Sequence, residues 1–345
     1  MITGYAVFEA GGTLRPYQYD PGPLGSHQVE IAVEYCGLCH SDLSMINNDW
    51  GVSQYPFIPG HEAVGRIAAV GELVTQFTVG DAVGLGWQSG FCHTCDCCMN
   101  GDHNLCYSVE ETIVGRHGGF ADRVRAAASS VVAIPPGIPL QQAGPLFCAG
   151  VTTFNPLMQQ QLSPTARVAV IGIGGLGHLA LQFLKAWGCE VTAFTSSPDK
   201  AEEARRFGAH EIINSRDSSA LKAARNHFDL IISTVNVKLE WQRYIATLKP
   251  KGKLVLLGVL LEPLDISLIG QRAVMASEVG SPGTIKTMLD FAARHGIVPQ
   301  TEVMPMSAIN QALSHLEAGK PRYRIVLQQD VVQPDVISRL DSASA

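Results

Sequence analysis

The rhythm of apolar positions along the chain changes near residue 161. Before it, β-branched runs such as Val29-Glu30-Ile31-Ala32-Val33 and Ala63-Val64-Gly65-Arg66-Ile67-Ala68-Ala69-Val70 are broken by Gly and Pro. Short strands punctuated by turns predict a β-barrel-like, mostly antiparallel domain. After Gln161-Leu162-Ser163-Pro164 the pattern becomes strand and helix in alternation. Val168–Ile171 reads as a strand, the stretch to Trp187 as a helix, and Glu190–Phe194 as the next strand. A helix through Arg205, a strand at Ile231-Ile232, a helix around Trp241–Leu248 and a strand at Leu254–Leu257 follow. That βαβαβ order predicts a parallel sheet covered by helices on both faces. Beyond Gly283 a helix over Ile285–Ala293 leads to mixed sequence and a last strand at Arg324–Leu327, so the C-terminal part is expected to rejoin the first domain. The expected domains are 1–148 with 286–345, and 149–285. The last dozen residues read as a fraying tail.

Composition narrows the class. A chain of 345 residues with 46% hydrophobic and 16% charged residues can bury two cores and is too long for one ordinary domain. A formal charge of −6 argues against nucleic acid or an anionic membrane surface as the main partner. Strand-like sequence (Tyr5, Val7, Phe8) follows Met1 directly, and no apolar run reaches membrane-spanning length, so a cytoplasmic protein is expected. In that compartment nine cysteines read as metal ligands plus spare thiols (Cys36, Cys97 and Cys189) rather than as disulfides.

Two constellations of those cysteines predict two zinc ions. Cys92, Cys95, Cys98 and Cys106 follow C-x2-C-x2-C-x7-C. Four thiolates close a tetrahedron and leave no open position, which makes a structural site and a lobe over about 90–107. Cys97 could compete with Cys98, but the even spacing prefers Cys98. The acidic and neutral surround of Phe91, His93, Asp96, Asn100 and Asp102 argues against a nucleic-acid-binding ribbon. The looser set is Cys39, His61 and Cys148. Three ligands leave a fourth position for water or substrate, the arrangement of a catalytic zinc. Glycines flank both Gly37-Leu38-Cys39-His40-Ser41-Asp42 and Gly60-His61-Glu62-Ala63-Val64-Gly65 and let the chain turn around a buried ion. Asp42 is a suitable acceptor for the imidazole N–H of His61. Trp50, Phe57 and Trp87 are candidates for an apolar substrate pocket, and equally for plain core.

Gly172-Ile173-Gly174-Gly175-Leu176-Gly177 fits G-x-G-x-x-G between a strand and a helix, the context in which a dinucleotide pyrophosphate sits on a helix N-terminus. An NAD site would place Asp or Glu at the end of the second strand. This chain has Phe194-Thr195-Ser196-Ser197-Pro198-Asp199-Lys200 there. Ser196, Ser197 and Lys200 suit a 2′-phosphate, so NADP(H) is favoured over NAD(H). Asp199, after Pro198, is expected in the first turn of the next helix.

Gly60-His61-Glu62-x2-Gly65-x5-Gly71-x2-Val74 resembles the signature of zinc-dependent medium-chain alcohol dehydrogenases throughout, and the similarity covers nearly the whole chain. Cys36 to Leu43, Cys148-Ala149-Gly150-Val151-Thr152 and Arg322-Tyr323-Arg324 look closest to the cinnamyl-alcohol-dehydrogenase-like branch. The resemblance implies a GroES-like catalytic domain carrying a Rossmann domain, and a homodimer. It implies reversible hydride transfer between NADP(H) and a primary alcohol or aldehyde, aromatic or medium-chain with broad specificity. Cys39, His61 and Cys148 become the catalytic zinc ligands, Glu62 the nearby carboxylate that can swing onto the metal, Ser41 the proton relay and Thr152 a cofactor contact. Plant-type members usually carry a histidine three residues after the relay residue, where this chain has Ser44. The alternatives are an NAD-dependent short-chain alcohol or polyol dehydrogenase, and a non-catalytic redox sensor. A zinc-free quinone reductase would lack Cys39, His61 and the cysteine lobe.

Overall fold

The strand Arg167–Ile171 is apolar from its second residue onward and lies between Glu190–Thr195 and Phe228–Ser233, both parallel to it. A strand covered on both faces has no polar side to show, hence the unbroken apolar run. The computed structural model describes residues 1–258, 263–265, 267 and 269–330. The expected C-terminal tail lies outside them. The chain divides into two compact units, 149–279 and the remainder. None of the described helices is long and apolar enough to cross a membrane.

The unit 149–279 holds a six-stranded parallel sheet in the order Glu211–Asn214, Glu190–Thr195, Arg167–Ile171, Phe228–Ser233, Leu248–Leu256, Ala273–Ala276. The order reverses between Arg167–Ile171 and Phe228–Ser233, which marks the crevice where doubly wound sheets bind ligands. The helix Gly177–Trp187 follows the first of these two strands and ends at Gly188, whose φ of 107° lets its N–H turn back to the Leu184 and Lys185 carbonyls. The expected helix around Trp241–Leu248 is shorter, Trp241–Ile245, and Leu248 already begins the next strand. Thr247 ends it by donating its hydroxyl to the Tyr244 carbonyl at 2.7 Å, and Pro250 could not continue a helix. The strands Glu211–Asn214 and Ala273–Ala276 complete the sheet and carry no strong alternation of their own.

The other unit is mostly antiparallel. Its seven-stranded sheet runs Thr301–Pro305, Arg324–Gln328, Gln28–Leu38, Ala63–Val70, Ala82–Leu85, Val132–Ala133, with Arg123–Ala127 also pairing Gln28–Leu38. The strand Arg324–Gln328 lies antiparallel to Gln28–Leu38, Ile325 opposite Leu38, so the C-terminal strand begins beside the start of the Cys39 turn. The return to this unit comes at Gly280 rather than at 286: Ser281 caps the helix Pro282–His295, and the whole helix belongs to the β unit. This is the GroES-like and Rossmann architecture expected from the sequence.

Candidate active site and dinucleotide site

Cys39 ends the long strand Gln28–Leu38 and caps the helix His40–Asn47. His61 and Glu62 precede the strand Ala63–Val70, whose Ala63 pairs with Cys36. Register therefore delivers Cys39, His61 and Glu62 to one end of the sheet, and Cys148 joins them after a 3-10 turn, Gly144–Phe147. One donor atom from each of the four residues lies within 4.8 Å of all the others, and all four are buried. The Cys39 and Cys148 sulfurs are 3.8 Å apart. Two sulfurs bound to one tetrahedral Zn²⁺ are also about 3.8 Å apart.

Asp42 is fully buried and organises the cluster. Its Oδ2 accepts from the Cys39 N–H at 3.0 Å, and its Oδ1 accepts from the Gly60 N–H at 2.9 Å. The same Oδ1 accepts from His61 Nδ1 at 2.8 Å. Carrying its proton on Nδ1, His61 presents the Nε2 lone pair, and that buried atom has no hydrogen-bond partner among the described residues. An orphaned imidazole nitrogen beside two thiols is what a metal ligand looks like when its second nitrogen is fixed by a carboxylate. A hydrogen bond from Cys148 holds the Cys39 thiol well below its ordinary range, while the Cys148 thiol is held well above it. A dication held between the two sulfurs would bind both as thiolates.

Glu62 faces the buried guanidinium of Arg324, and burial raises its carboxyl pKa against that opposing charge. A Cβ on Gly37 would run into Glu62 Oε2, so the residue two before Cys39 is glycine to make room for the carboxylate. Arg324 belongs to the C-terminal strand, and only the fold brings it to Glu62. The Trp87 ring stands edge-on to His61 at 5.0 Å, and Trp50 packs on Trp87 at 5.8 Å. Phe57 is instead only 2% exposed, in the core beside Tyr55: its backbone pairs with Val7, which turns the side chain inward. Ser41 Oγ lies 3.8 Å from the Cys39 sulfur.

The second cysteine cluster is built differently. Cys92 Sγ lies 3.5 Å from Cys106 Sγ and 3.9 Å from Cys98 Sγ, and Cys95 completes the group. Backbone N–H groups of Cys95, Cys92 and Ser108 donate to these sulfurs at 3.4 Å. The Thr94 and Cys95 N–H groups draw the Cys92 thiol down to about 5. Cys97 lies outside the four.

In the other unit, Gly172 turns with φ of 89°, and a Cβ on Gly177 would meet the Gly172 carbonyl. Gly174 differs: a Cβ there would meet nothing within 4 Å. The protein itself makes no demand for glycine at 174, which fits a ligand backbone or phosphate lying there. A cavity of about 240 Å³ brings Gly172, Ser196, Ser197 and Lys200 together. Ser215 and Tyr244 line it too, two residues that no motif marks. Asp199 is in the first turn of the helix Pro198–Phe207. Thr152 is buried in the helix Ala149–Gln159, and Gly175 and Leu176 form the turn before Gly177.

Residues 25–136 match the family model of the alcohol dehydrogenase GroES-like domain, and residues 175–294 match that of the zinc-binding dehydrogenases. The chain belongs to the zinc-dependent medium-chain alcohol dehydrogenases. Among curated relatives it is 60% identical to the aldehyde reductase AdhA of Synechocystis, over 95% of this chain and 98% of that one. A cinnamyl alcohol dehydrogenase from Sorghum bicolor superposes with a TM-score of 0.90 at 39% identity, covering 95% and 97% of the two chains. The cinnamyl alcohol dehydrogenase of Helicobacter pylori, complexed with NADP(H), gives 0.87 at 29% identity, covering 95% and 97%. Within its family the chain lies in the cinnamyl-alcohol-dehydrogenase-like branch, and it is an oxidoreductase interconverting alcohols and aldehydes.

Proposed function

We propose that the enzyme is an NADP(H)-dependent aldehyde reductase and alcohol dehydrogenase with two zinc ions per chain, acting on aromatic or medium-chain primary alcohols and aldehydes. The observation that carries the cofactor choice is the cavity where Ser196, Ser197 and Lys200 meet the glycine turn, with no carboxylate ending the strand Glu190–Thr195. Residues 149–279 also carry 14 Lys and Arg against 11 Asp and Glu, while the rest of the chain carries 11 against 20. A polyanionic dinucleotide suits the positive unit.

Cys39, His61 and Cys148 would hold the catalytic ion, and Cys92, Cys95, Cys98 and Cys106 the structural one. When bound, the catalytic zinc supplies Lewis acidity and the nicotinamide supplies or accepts hydride. Asp42 keeps His61 in the tautomer that offers Nε2, and its bonds to the Cys39 and Gly60 backbones hold both ligand turns at one distance. Arg324 holds Glu62 beside the cluster as a second carboxylate. The Ser41 hydroxyl, next to the Cys39 sulfur, hands the proton to the product alkoxide in reduction and takes it in oxidation. Ser44 replaces the relay histidine of plant-type relatives, so the proton leaves by a path that lacks that imidazole. Trp87 and Trp50 offer an aromatic wall beside His61. A homodimer fits the Ala273–Ala276 strand, whose half-buried edge has no partner strand on its outer side among the described residues. The cytoplasm is the expected compartment.

The test is kcat/KM for cinnamaldehyde reduction with NADPH and with NADH, on enzyme purified without chelator and assayed for zinc. A preference for NADPH of about a hundredfold is expected, from two or three charge-assisted contacts to the phosphate. Equal use of NADH would overturn the cofactor reading.

A further inference from the structure

The glycine turn poses a physical problem that one buried side chain answers. Gly174 and Gly175 are consecutive glycines, the most freely rotating pair a chain can contain. Gly174 has to lack a side chain only if a ligand approaches, since a Cβ there would meet nothing in the protein. Access for the ligand is thus obtained at the cost of a turn with little intrinsic order. Among the described residues the Gly175 and Leu176 N–H groups have no backbone acceptor, so nothing local fixes their direction.

His178, one residue into the helix Gly177–Trp187, is fully buried. Its Nδ1 lies 3.0 Å from the Gly174 carbonyl oxygen. A carbonyl only accepts, so Nδ1 carries the proton and donates. The backbone N–H of His178 donates to the same oxygen at 3.2 Å. One residue therefore grips the Gly174 carbonyl twice, once through its backbone and once through its ring. The Phe207 ring packs edge-on against the imidazole at 5.4 Å, which keeps the ring from swinging away. In a trans peptide the carbonyl oxygen and the following N–H point in opposite directions. Holding the Gly174 oxygen toward the helix consequently turns the Gly175 N–H outward, to the open side that Gly174 leaves bare. Thr234 does the corresponding work upstream, donating its hydroxyl to the Ile171 and Gly172 carbonyls at 3.0 and 2.9 Å.

We propose that His178 is a positioning residue for the dinucleotide: through Nδ1 it locks the Gly174–Gly175 peptide in the orientation that offers an N–H to the pyrophosphate. The role rests on the reading of this turn as the dinucleotide site. Preorganisation of this kind removes an ordering cost from binding, so it acts on cofactor affinity and leaves the chemical step alone.

Four variants test it, each measured by NADPH fluorescence titration without aldehyde, by steady-state kinetics and by Tm. His178→Leu is expected to weaken NADPH binding about tenfold, the size of one lost hydrogen bond, with kcat at saturating NADPH within about twofold. His178→Asn places an amide nitrogen where Nδ1 was and is expected to restore affinity, whereas His178→Gln places it one atom too far and is expected to bind as weakly as Leu. A lowered Tm with unchanged NADPH affinity in His178→Leu would overturn the proposal, as would equal affinities of the Asn and Gln variants. The Asn and Gln pair decides the matter if His178→Leu does not fold. Gly174→Ala separates the two levels of inference. Unchanged NADPH affinity in Gly174→Ala would overturn the dinucleotide reading of the turn itself. Weakened binding there beside an unaffected His178→Leu would overturn only the role of His178.

Discussion

The two cysteine clusters use the same chemistry with opposite construction. Cys92, Cys95, Cys98 and Cys106 fall within one short loop, and the loop's own backbone N–H groups donate to their sulfurs. Cys39 and Cys148 are 109 positions apart, and their cluster exists only because strands, a helix start and a 3-10 turn converge. Its order comes from buried side chains, Asp42 on His61 and Arg324 on Glu62. Around an ion the local cluster would spend all four donors on closure and could only hold shape. The assembled one has three thiol and imidazole donors with a restrained carboxylate beside them, which leaves room for chemistry.

Cys39→Ser should separate the two most sharply. Turnover is expected to fall by about a thousandfold or more, the scale of a lost Lewis acid. Metal analysis should find one zinc where the parent has two, with Tm little changed. Near-normal turnover with one zinc would break the comparison. Cys95→Ser should do the reverse, lowering Tm by about 10 °C through loss of the structural ion. The protein that remains folded would turn over at nearly the parental rate per catalytic zinc, so a selective loss of kcat at unchanged Tm would contradict the assignment.

The smallest effect concerns the strand that leads to Cys39. Glu30 is nearly buried on it and accepts from Arg123 at 2.6 Å and Arg125 at 2.7 Å. Burial pushes its carboxyl up, but the two guanidinium partners outweigh this and leave it below the ordinary glutamate range. A carboxyl lowered in the folded state stabilises above its unfolded pKa, and that contribution is lost as pH falls through the folded pKa. Glu30→Gln should therefore be less stable than the parent at pH 7 by about 1–2 kcal/mol. The difference should vanish at an acid pH that protonates the carboxyl in both the folded and the unfolded chain. Denaturant melts at both pH values measure it, and a difference that persisted in acid would remove the ionic explanation.

Much of the architecture was legible because local pattern and global fold agree. The apolar run Val168–Ile171 followed by six residues of glycine fingerprint carries strand, turn and helix in one stretch, and the sheet lies where that stretch predicts. Spacing alone assembled Cys92 to Cys106, since donors a few residues apart cannot be far apart in space. The strand Glu211–Asn214 escaped notice because four residues give too little periodicity to count. The helix expected to reach Leu248 stopped at Ile245 because a threonine hydroxyl competed for the last carbonyls, a contest that hydrophobic pattern does not register.

Sequence by itself determined the family, the division into two units, the clustering of Cys92 to Cys106 and the glycine turn, because each is written in neighbouring residues whose chemistry needs no distant help. Tertiary structure decided what Arg324, Gly37, Trp87, Ser215 and His178 do. Arg324 reaches Glu62 from 262 positions away, and no periodicity links them; strand register in a mixed sheet does. Phe57 and Trp87 look alike in the sequence, and only backbone pairing with Val7 turned one into core and left the other against His61. The direction of a side chain is set by the strand beneath it, and that strand's partners come from the whole fold.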